Sequence, residues 1–401
     1  MNDINIGTSD KIGGKQQLFI ISAMGMYFVM SFPINIMGAN APVMMEYYGI
    51  NATQQGLIIT VQSIGQLCVA FIVSLIGEKY NKIYGTAVGY LVLCLGCVAM
   101  GFGPVYSLLL VCALAVGVGV AIIDVMVNGM VPDVFPKHKN TLLPFLHGFF
   151  GAGAMLTPVL VTFTVNPLMP ESFSQPFRVL GIATAVVLLF FYISGRRINR
   201  ETVYRDMDAM RKRASENPAE IFKTKKAWLF LLVGFLYFTF QMGMIAWLPT
   251  YTIESTGADF NIGGLMLTAF FAGALPMRFL GPLFLRRFSA HVFYSRFGCI
   301  AAVLMLGAIF ADSLPLMFVL VVASGFLQGS LVAVFILMCT EAFPTRTASA
   351  SSLFSISCSI GFITTPIWMG SMSEITGFQL PMILVCCSLF ASSFLVFLKG
   401  R

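Results

Sequence analysis

Residues 106–131 read YSLLLVCALAVGVGVAIIDVMVNGMV, and Asp124 is the one charged side chain in this stretch. A helix that crosses a lipid bilayer needs about 20 mostly apolar residues, and the stretch is long enough to form one. The whole chain of 401 residues is 58% hydrophobic and only 10% charged, which is too apolar a balance for one water-soluble core. We therefore predict a membrane protein.

Similar apolar stretches recur along the whole chain. They are long and unbroken and do not alternate with polar residues, which favours helices over the strands of a membrane barrel. They predict twelve membrane-spanning helices, over residues 18–45, 53–77, 83–103, 106–131, 141–165, 176–195, 227–250, 260–285, 292–312, 314–340, 346–371 and 376–398. The predicted fold class is an all-α membrane protein.

The charged residues between the spans predict their orientation. Lys and Arg gather in the segments on the same side as both chain ends, whereas the opposite loops carry acids such as Glu46, Glu254 and Asp312. Because cytoplasmic loops are enriched in Lys and Arg, we expect both termini in the cytoplasm and the protein in the inner (plasma) membrane. The N-terminus lacks the pattern of a signal peptide. The net charge of +7 then follows from topology and requires no nucleic acid partner.

The longest polar stretch, residues 196–226, divides the chain into an N-terminal six-helix bundle (1–195) and a C-terminal six-helix bundle (227–401). Its mixture of bases and acids predicts an amphipathic cytoplasmic helix along the inner leaflet. Glycines and prolines recur in both bundles at a constant offset of 208, as in the pairs Gly65 and Gly273, Gly117 and Gly325, and Pro158 and Pro366. Because six is an even number, the bundles are predicted to be parallel repeats.

The loop between the second and third predicted spans reads SLIGEKYNK (74–82). This loop and the two parallel repeats resemble the major facilitator superfamily, whose loop motif has an acid–base pair here. Glu78 and Lys79 keep that pair, although Ser74 and Asn81 replace glycines. The resemblance covers nearly the whole chain and implies two bundles that rock around a central site. The candidate gate residues are Glu78, Lys79, Asp133, Arg278 and Glu341.

Asp124 lies on a helix face with Gly117 and Asn128. Along this face the side chains are first small and then polar. An Asp facing lipid costs about 2.5–3.5 kcal/mol, so we expect the face to line the bundle interior or a wet cavity. His147 and Arg278 lie at a similar predicted depth. One interpretation makes Asp124 a proton carrier assisted by His147. The other makes Asp124 a fixed structural ion pair with His147 or Arg278.

The fourth and fifth spans, including FPKHKNTLLPFLHGFFGAGAMLTPVL (135–160), resemble the fucose permease-like sugar symporters. That branch has an acid and then an Asn in a Gly-rich fourth span, which are Asp124 and Asn128 here. The resemblance implies proton-linked sugar uptake. Two departures are that Asp replaces the commoner Glu, and that the first span has no carboxylate within the membrane, so we do not expect a relay of two acids.

Polar and aromatic side chains on other spans are candidates for contact with a solute. Amides both donate and accept hydrogen bonds, which suits hydroxyl-rich ligands, and an aromatic ring can stack on a sugar. These candidates are Asn35, Asn40, Gln62, Gln66, Asn128, Tyr237, Gln241, Trp247 and Gln328. The alternative for each is a hydrogen bond between helices.

We therefore predict a secondary active transporter that moves a small polar solute, a sugar, by alternating access with protons. A carrier of organic anions, drugs or metabolites is the alternative within this class, and a non-transporting solute sensor is the alternative outside it. The chain contains no motif of an enzyme. Cys94 and Cys97 form a C-x-x-C, but small apolar helix residues explain them better than a redox or metal site. We expect no cofactor or metal, and a monomer in the bilayer.

Overall fold

A computed structural model of the protein describes residues 14–76, 81–135, 138–196, 222–343 and 347–399. In this part of the chain the regular structure is helical, with fourteen α-helices and no strand. They are α1 (Gly14–Ala39), α2 (Ala41–Tyr48), α3 (Ala52–Ile76), α4 (Lys82–Gly101), α5 (Tyr106–Val134), α6 (Lys139–Thr164), α7 (Gln175–Arg196), α8 (Lys225–Thr256), α9 (Phe260–Leu285), α10 (Ala290–Ile309), α11 (Leu314–Gln328), α12 (Leu331–Ala342), α13 (Thr347–Thr376) and α14 (Gln379–Lys399).

The predicted all-α membrane fold of twelve spans is confirmed. Among the described residues, eleven segments are long and apolar enough to cross a membrane. The helix α3 coincides with the remaining predicted span, 53–77. The helices α1 and α2 together form the first span, and α11 and α12 together form the tenth.

Two details differ from the predicted spans. The tenth span is interrupted at Gly329 and Ser330, where the chain passes close to α9. The seventh span continues to Thr256 instead of residue 250, because Pro249 is tolerated inside α8. Gly257 ends this helix with φ +64°, a left-handed conformation that glycine adopts readily.

The predicted repeat is visible in the packing of each half. A Cβ at Gly117 would collide with the backbone carbonyl oxygen of Gln62, so α5 and α3 approach each other closely. A Cβ at Gly325 would collide with the carbonyl oxygen of Phe270, where α11 meets α9. Gln62 and Phe270 are themselves 208 residues apart. The same backbone contact therefore occurs in both halves.

The two halves meet most closely near the face opposite the chain ends. There the Glu374 carboxylate, at the end of α13, accepts the backbone N–H of Thr53 at 2.8 Å and its hydroxyl at 2.5 Å, at the start of α3. Thr60 donates its hydroxyl to the Ile363 carbonyl at 2.8 Å further along the same pair of helices. These contacts close the bundle on this face. The polar residues of the interior lie further toward the side of the chain ends.

Candidate functional site

Asp124 is the centre of a polar cluster in the N-terminal half. Its Oδ1 accepts hydrogen bonds from the Tyr27 hydroxyl at 2.9 Å and from Asn128 Nδ2 at 3.0 Å. Among the described residues, its Oδ2 accepts no hydrogen bond, and neither His147 nor Arg278 lies within ion-pair distance. The side chain is half-buried. The carboxylate is thus held by neutral donors and has one oxygen open, and this conformation does not contain the fixed ion pair considered above.

Tyr27 lies on α1, far from Asp124 in the chain, and was not among the predicted site residues. Its hydroxyl is one of several polar groups on α1, and nothing in the spacing connects α1 to α5. The Tyr27 ring also packs edge-on against the imidazole of His147, with ring centroids 5.6 Å apart. Tyr27 therefore connects the acid to the histidine through its hydroxyl and its ring.

His147 lies on α6, and its side chain is exposed. Gly151, one helical turn further along α6, lies against the guanidinium of Arg278. The contacts of Tyr27 and Gly151 thus bring Asp124, His147 and Arg278 to the same part of the structure.

Arg278 enters the cluster from the C-terminal half. Its guanidinium lies against Gly151 of α6, where even a single added methyl group would collide with Nη1. The neighbouring Met277 carbonyl of α9 accepts a hydrogen bond from the hydroxyl of Ser330, in the interruption between α11 and α12. The guanidinium of the C-terminal half thus contacts a helix of the N-terminal half.

A second polar cluster lies in the C-terminal half and is formed by Tyr237, Gln241 and Gln328. The Tyr237 hydroxyl is 3.1 Å from Gln328 Oε1 and 3.4 Å from Gln241 Oε1. All three side chains are buried, and Gln328 is the last residue of α11, where the tenth span is interrupted. A hydroxyl has one proton to donate, so one of the two amide oxygens can accept a hydrogen bond from another donor.

Four other predicted solute contacts donate a side-chain N–H to a backbone carbonyl instead. They are Asn35 to Ser31 at 2.7 Å, Asn40 to Phe173 at 2.9 Å, Gln62 to Pro33 at 3.3 Å and Trp247 to Pro366 at 3.2 Å. This is the geometry expected of hydrogen bonds within and between helices. Among the described residues, no hydrogen bond links these four side chains to the two clusters. Gln66 is half-buried on α3, and its backbone lies beside Gly117.

Of the predicted gate residues, Glu78 and Lys79 lie outside the described residues, as does most of the predicted helix at 196–226. Asp133 lies in the last turn of α5, and Glu341 is exposed near the end of α12. The described residues contain no group of three or more His, Cys, Asp or Glu residues that could hold a metal ion.

The fold and the two polar clusters define a helical membrane protein with ionisable groups near the contact between its two similar halves. The family model of the Major Facilitator Superfamily matches residues 23–304 and 252–401. The chain therefore belongs to the Major Facilitator Superfamily of membrane transporters.

Two relatives are similar in sequence. The uncharacterized MFS-type transporter YfkL of Bacillus subtilis is 22% identical over 369 residues, which cover 90% of this chain and 91% of YfkL. Bypass of stop codon protein 6 of Saccharomyces cerevisiae is 24% identical over 277 residues, which cover 64% of this chain. The match covers 55% of the yeast protein, so the chain spans about half the length of that relative.

Solved structures share the fold. A bacterial homolog of the human lysosomal transporter Spinster, in an inward-facing and unoccupied conformation, has a TM-score of 0.83 at 15% identity, with 98% of each chain covered. The structure of a D-xylose-proton symporter has a TM-score of 0.76 at 12% identity and covers 96% of this chain and 99% of its own. At these identities the likeness concerns the fold alone.

Proposed function

We propose that the protein is a secondary active transporter that moves a small polar, sugar-like solute together with protons that bind Asp124. The observation that carries this proposal is the environment of that carboxylate. Asp124 is half-buried, its Oδ1 is held by Tyr27 and Asn128, and its Oδ2 is left without a partner among the described residues. Ionisable groups at membrane depth are expensive and mark transport or proton pathways.

The protonation of such a carboxylate responds to its surroundings. Burial favours the neutral acid, whereas hydrogen-bond donors and nearby cations favour the charged form. In this structure Tyr27 and Asn128 are donors to the acid, and His147 and Arg278 lie on α6 and α9, which face each other across the two halves. A rocking motion of the halves changes the distance to Arg278, and we infer that it thereby changes the proton affinity of Asp124.

The C-terminal cluster supports a hydroxyl-bearing solute. Tyr237, Gln241 and Gln328 combine donors and acceptors in a buried setting, which is how proteins recognise hydroxyl groups. The resemblance of the fourth and fifth spans to the fucose permease-like branch favours a sugar as the solute class.

The contacts between α3 and α13 support an orientation for this state. They close the face opposite the chain ends. His147, in contrast, is exposed and lies nearer the side of the chain ends. With the termini in the cytoplasm of a plasma-membrane protein, as the loop charges predict, this conformation opens inward. We propose that the monomer is the transporting unit.

Reconstituted liposomes test proton coupling. A panel of sugars and sugar acids is screened by thermal stabilisation of the purified protein, and the strongest binder is then supplied as radiolabelled solute with and without an imposed pH gradient. We expect Asp124→Asn to abolish accumulation driven by the gradient while exchange across the membrane continues, because a neutral amide cannot carry a proton.

Asp312→Asn removes an exposed loop carboxylate and is the matched control. Accumulation by Asp124→Asn at the wild-type level would contradict proton coupling through this residue. Binding without any flux in the wild-type protein would instead favour the solute sensor.

A further inference from the structure

We propose that the solute carries one negatively charged group and that Arg278 binds it, so that the solute class is a small hydroxylated carboxylate such as a sugar acid. The inference rests on the proposed transport function and specifies its substrate. It starts from a cation at membrane depth, on a side chain that is half-buried in α9.

The described residues supply no counter-ion for the guanidinium of Arg278 in this conformation. Among the described residues, no carboxylate lies within ion-pair distance of it and no acceptor forms a hydrogen bond with it. A cation at membrane depth is costly, and such groups usually pair with an opposite charge or line a water-filled cavity. An anion that binds here during part of the transport cycle would offset that cost.

Asp124 does not supply this anion here. Its carboxylate receives hydrogen bonds from Tyr27 and Asn128 on the N-terminal side, at 2.9 Å and 3.0 Å. When Asp124 takes up a proton, it carries no charge with which to balance Arg278. Binding of one proton and one monoanion together would leave the loaded protein with the same net charge as the empty protein.

The contacts around Arg278 also indicate what lies near the anion. Met277, the neighbour of Arg278 in α9, accepts a hydrogen bond from Ser330, which follows Gln328 by two residues. Gln328 and Tyr237 belong to the amide cluster that suits hydroxyl groups. The planar guanidinium presents paired N–H donors that match the two oxygens of a carboxylate. A solute with hydroxyls at one end and a carboxylate at the other fits both the amide cluster and the guanidinium.

Gly151 makes this arrangement possible. Any side chain there would occupy the space of Arg278 Nη1, whereas a Cβ at Gly148, one turn earlier, would meet only the ring edge of Phe279 at 3.2 Å. The absence of a side chain at Gly151 thus lets the cation of one half reach the polar cluster of the other.

Matched pairs of ligands test the charge requirement. Purified full-length protein is titrated with D-gluconate and D-glucose, D-glucuronate and D-glucose, and D-galacturonate and D-galactose, with thermal stabilisation and calorimetry as readouts. We expect at least one acid to bind the wild-type protein at least about tenfold more tightly than its neutral partner, as a charge-assisted pair provides. Equal affinities within every pair, or no binding of any acid, overturn the proposal.

Variants identify the residue. Arg278→Gln is expected to weaken binding of the acid by about 10- to 100-fold and to leave the weak binding of the neutral sugar unchanged. Arg296→Gln, which removes an exposed cation from α10, is the matched control. If Arg278→Gln weakens acid and sugar equally, Arg278 has a structural role and the proposal fails.

A second pair of variants covers the case in which Arg278→Gln does not fold. Gly151→Ala displaces the guanidinium without removing the charge, and it should weaken acid binding severalfold while Gly148→Ala does not. Wild-type affinity for the acid in Gly151→Ala contradicts the proposal.

Transport assays separate this inference from the proposed function. If a pH gradient drives accumulation of neutral sugars equally in wild-type protein and Arg278→Gln, the transport function stands and the charge requirement is overturned. If acids bind through Arg278 but a pH gradient does not drive their accumulation, the charge requirement stands and proton coupling fails.

Discussion

The two halves of the protein have the same backbone packing and different chemistry. In the N-terminal half, a Cβ at Gly65 would meet the carbonyl oxygen of Leu114, and in the C-terminal half a Cβ at Gly273 would meet that of Val322. The two pairs are related by the offset of 208. The positions where helices touch through their backbones are therefore the ones that both halves retain.

The polar clusters do not follow the repeat. At the offset of 208, the N-terminal polar residues Tyr27, Asp124 and Asn128 correspond to Phe235, Val332 and Ile336, and the C-terminal residues Tyr237, Gln241 and Gln328 correspond to Val29, Pro33 and Val120. Each half thus has polar groups where the other is apolar. A shared frame permits a symmetric rocking motion, whereas unlike clusters allow one half to hold the proton and the other to hold the solute.

The contacts between the halves join equivalent positions but differ in closeness. A Cβ at Gly56 of α3 would collide with the Pro366 carbonyl oxygen of α13, whereas a Cβ at its counterpart, Gly264 of α9, would lie 3.6 Å from the Pro158 carbonyl oxygen of α6, an ordinary van der Waals distance. The α3–α13 contact is therefore the tighter of the two in this conformation.

The largest expected effect comes from giving the C-terminal half the acid of the N-terminal half. Val332→Asp places a carboxylate where the neighbours equivalent to Tyr27 and Asn128 are Phe235 and Ile336. The cost to stability should be about 2.5–3.5 kcal/mol. Thermal unfolding of the purified protein in detergent measures the loss.

Adding Phe235→Tyr to Val332→Asp should restore about 1 kcal/mol, because the new hydroxyl can donate to the carboxylate. An unchanged melting temperature for Val332→Asp would mean that an acid can be placed in the bundle without hydrogen-bond donors. The donors around Asp124 would then not explain why an acid is tolerated there.

The second effect tests the part that the halves share. Gly117→Ala and Gly325→Ala each place a methyl group against a backbone carbonyl, and each should destabilise the protein by about 1–3 kcal/mol. Gly25→Ala is the control, since its Cβ would meet nothing within 4 Å. Parallel thermal unfolding of the three variants measures the effects. A large difference in stability loss between Gly117→Ala and Gly325→Ala would show that equivalent contacts in the two halves contribute unequally to stability.

The third effect concerns protonation in the N-terminal half. Tyr27→Phe removes a hydrogen bond that the Asp124 carboxylate accepts, so proton-driven uptake should persist to higher pH than in the wild-type protein. Uptake measured over a series of pH values tests this.

Tyr294→Phe, which breaks a hydroxyl contact with Ser392 in the other half, should leave the pH profile unchanged. A downward shift for Tyr27→Phe would reverse the assigned role of its hydroxyl.

The smallest effect concerns solute binding in the C-terminal half. Gln328→Ala should raise the solute concentration for half-maximal transport about three- to tenfold, because one hydrogen bond is lost. The pH profile of transport should not change. Trp247→Phe loses the bond to the Pro366 carbonyl and should lower stability by about 1 kcal/mol while solute affinity is unchanged. An equal loss of affinity in both variants would place Trp247 in the solute site after all.

The long-range partners of the site could not be predicted from the sequence. Asn128 lies one helical turn from Asp124, so its hydrogen bond follows from helix periodicity. Tyr27, in contrast, is brought to the acid by the packing of α1 in the bundle, which no local spacing describes. For the same reason Gln62 and Asn35 resembled Gln241 and Gln328 in the sequence, although the first two bond to backbone carbonyls of the helices.

The amino-acid sequence by itself determined the lipid-embedded helical fold, the twelve spans and the doubled architecture. Composition, apolar run length and the spacing of Gly and Pro are local properties that decide where a helix forms, where it can approach another closely and which solvent surrounds it. The tertiary structure alone decided which polar groups face one another: Tyr27 with Asp124, and Arg278 with Gly151. These contacts depend on how distant helices are rotated and packed, because a side chain's hydrogen-bonding partner is set by three-dimensional proximity and not by its position in the chain.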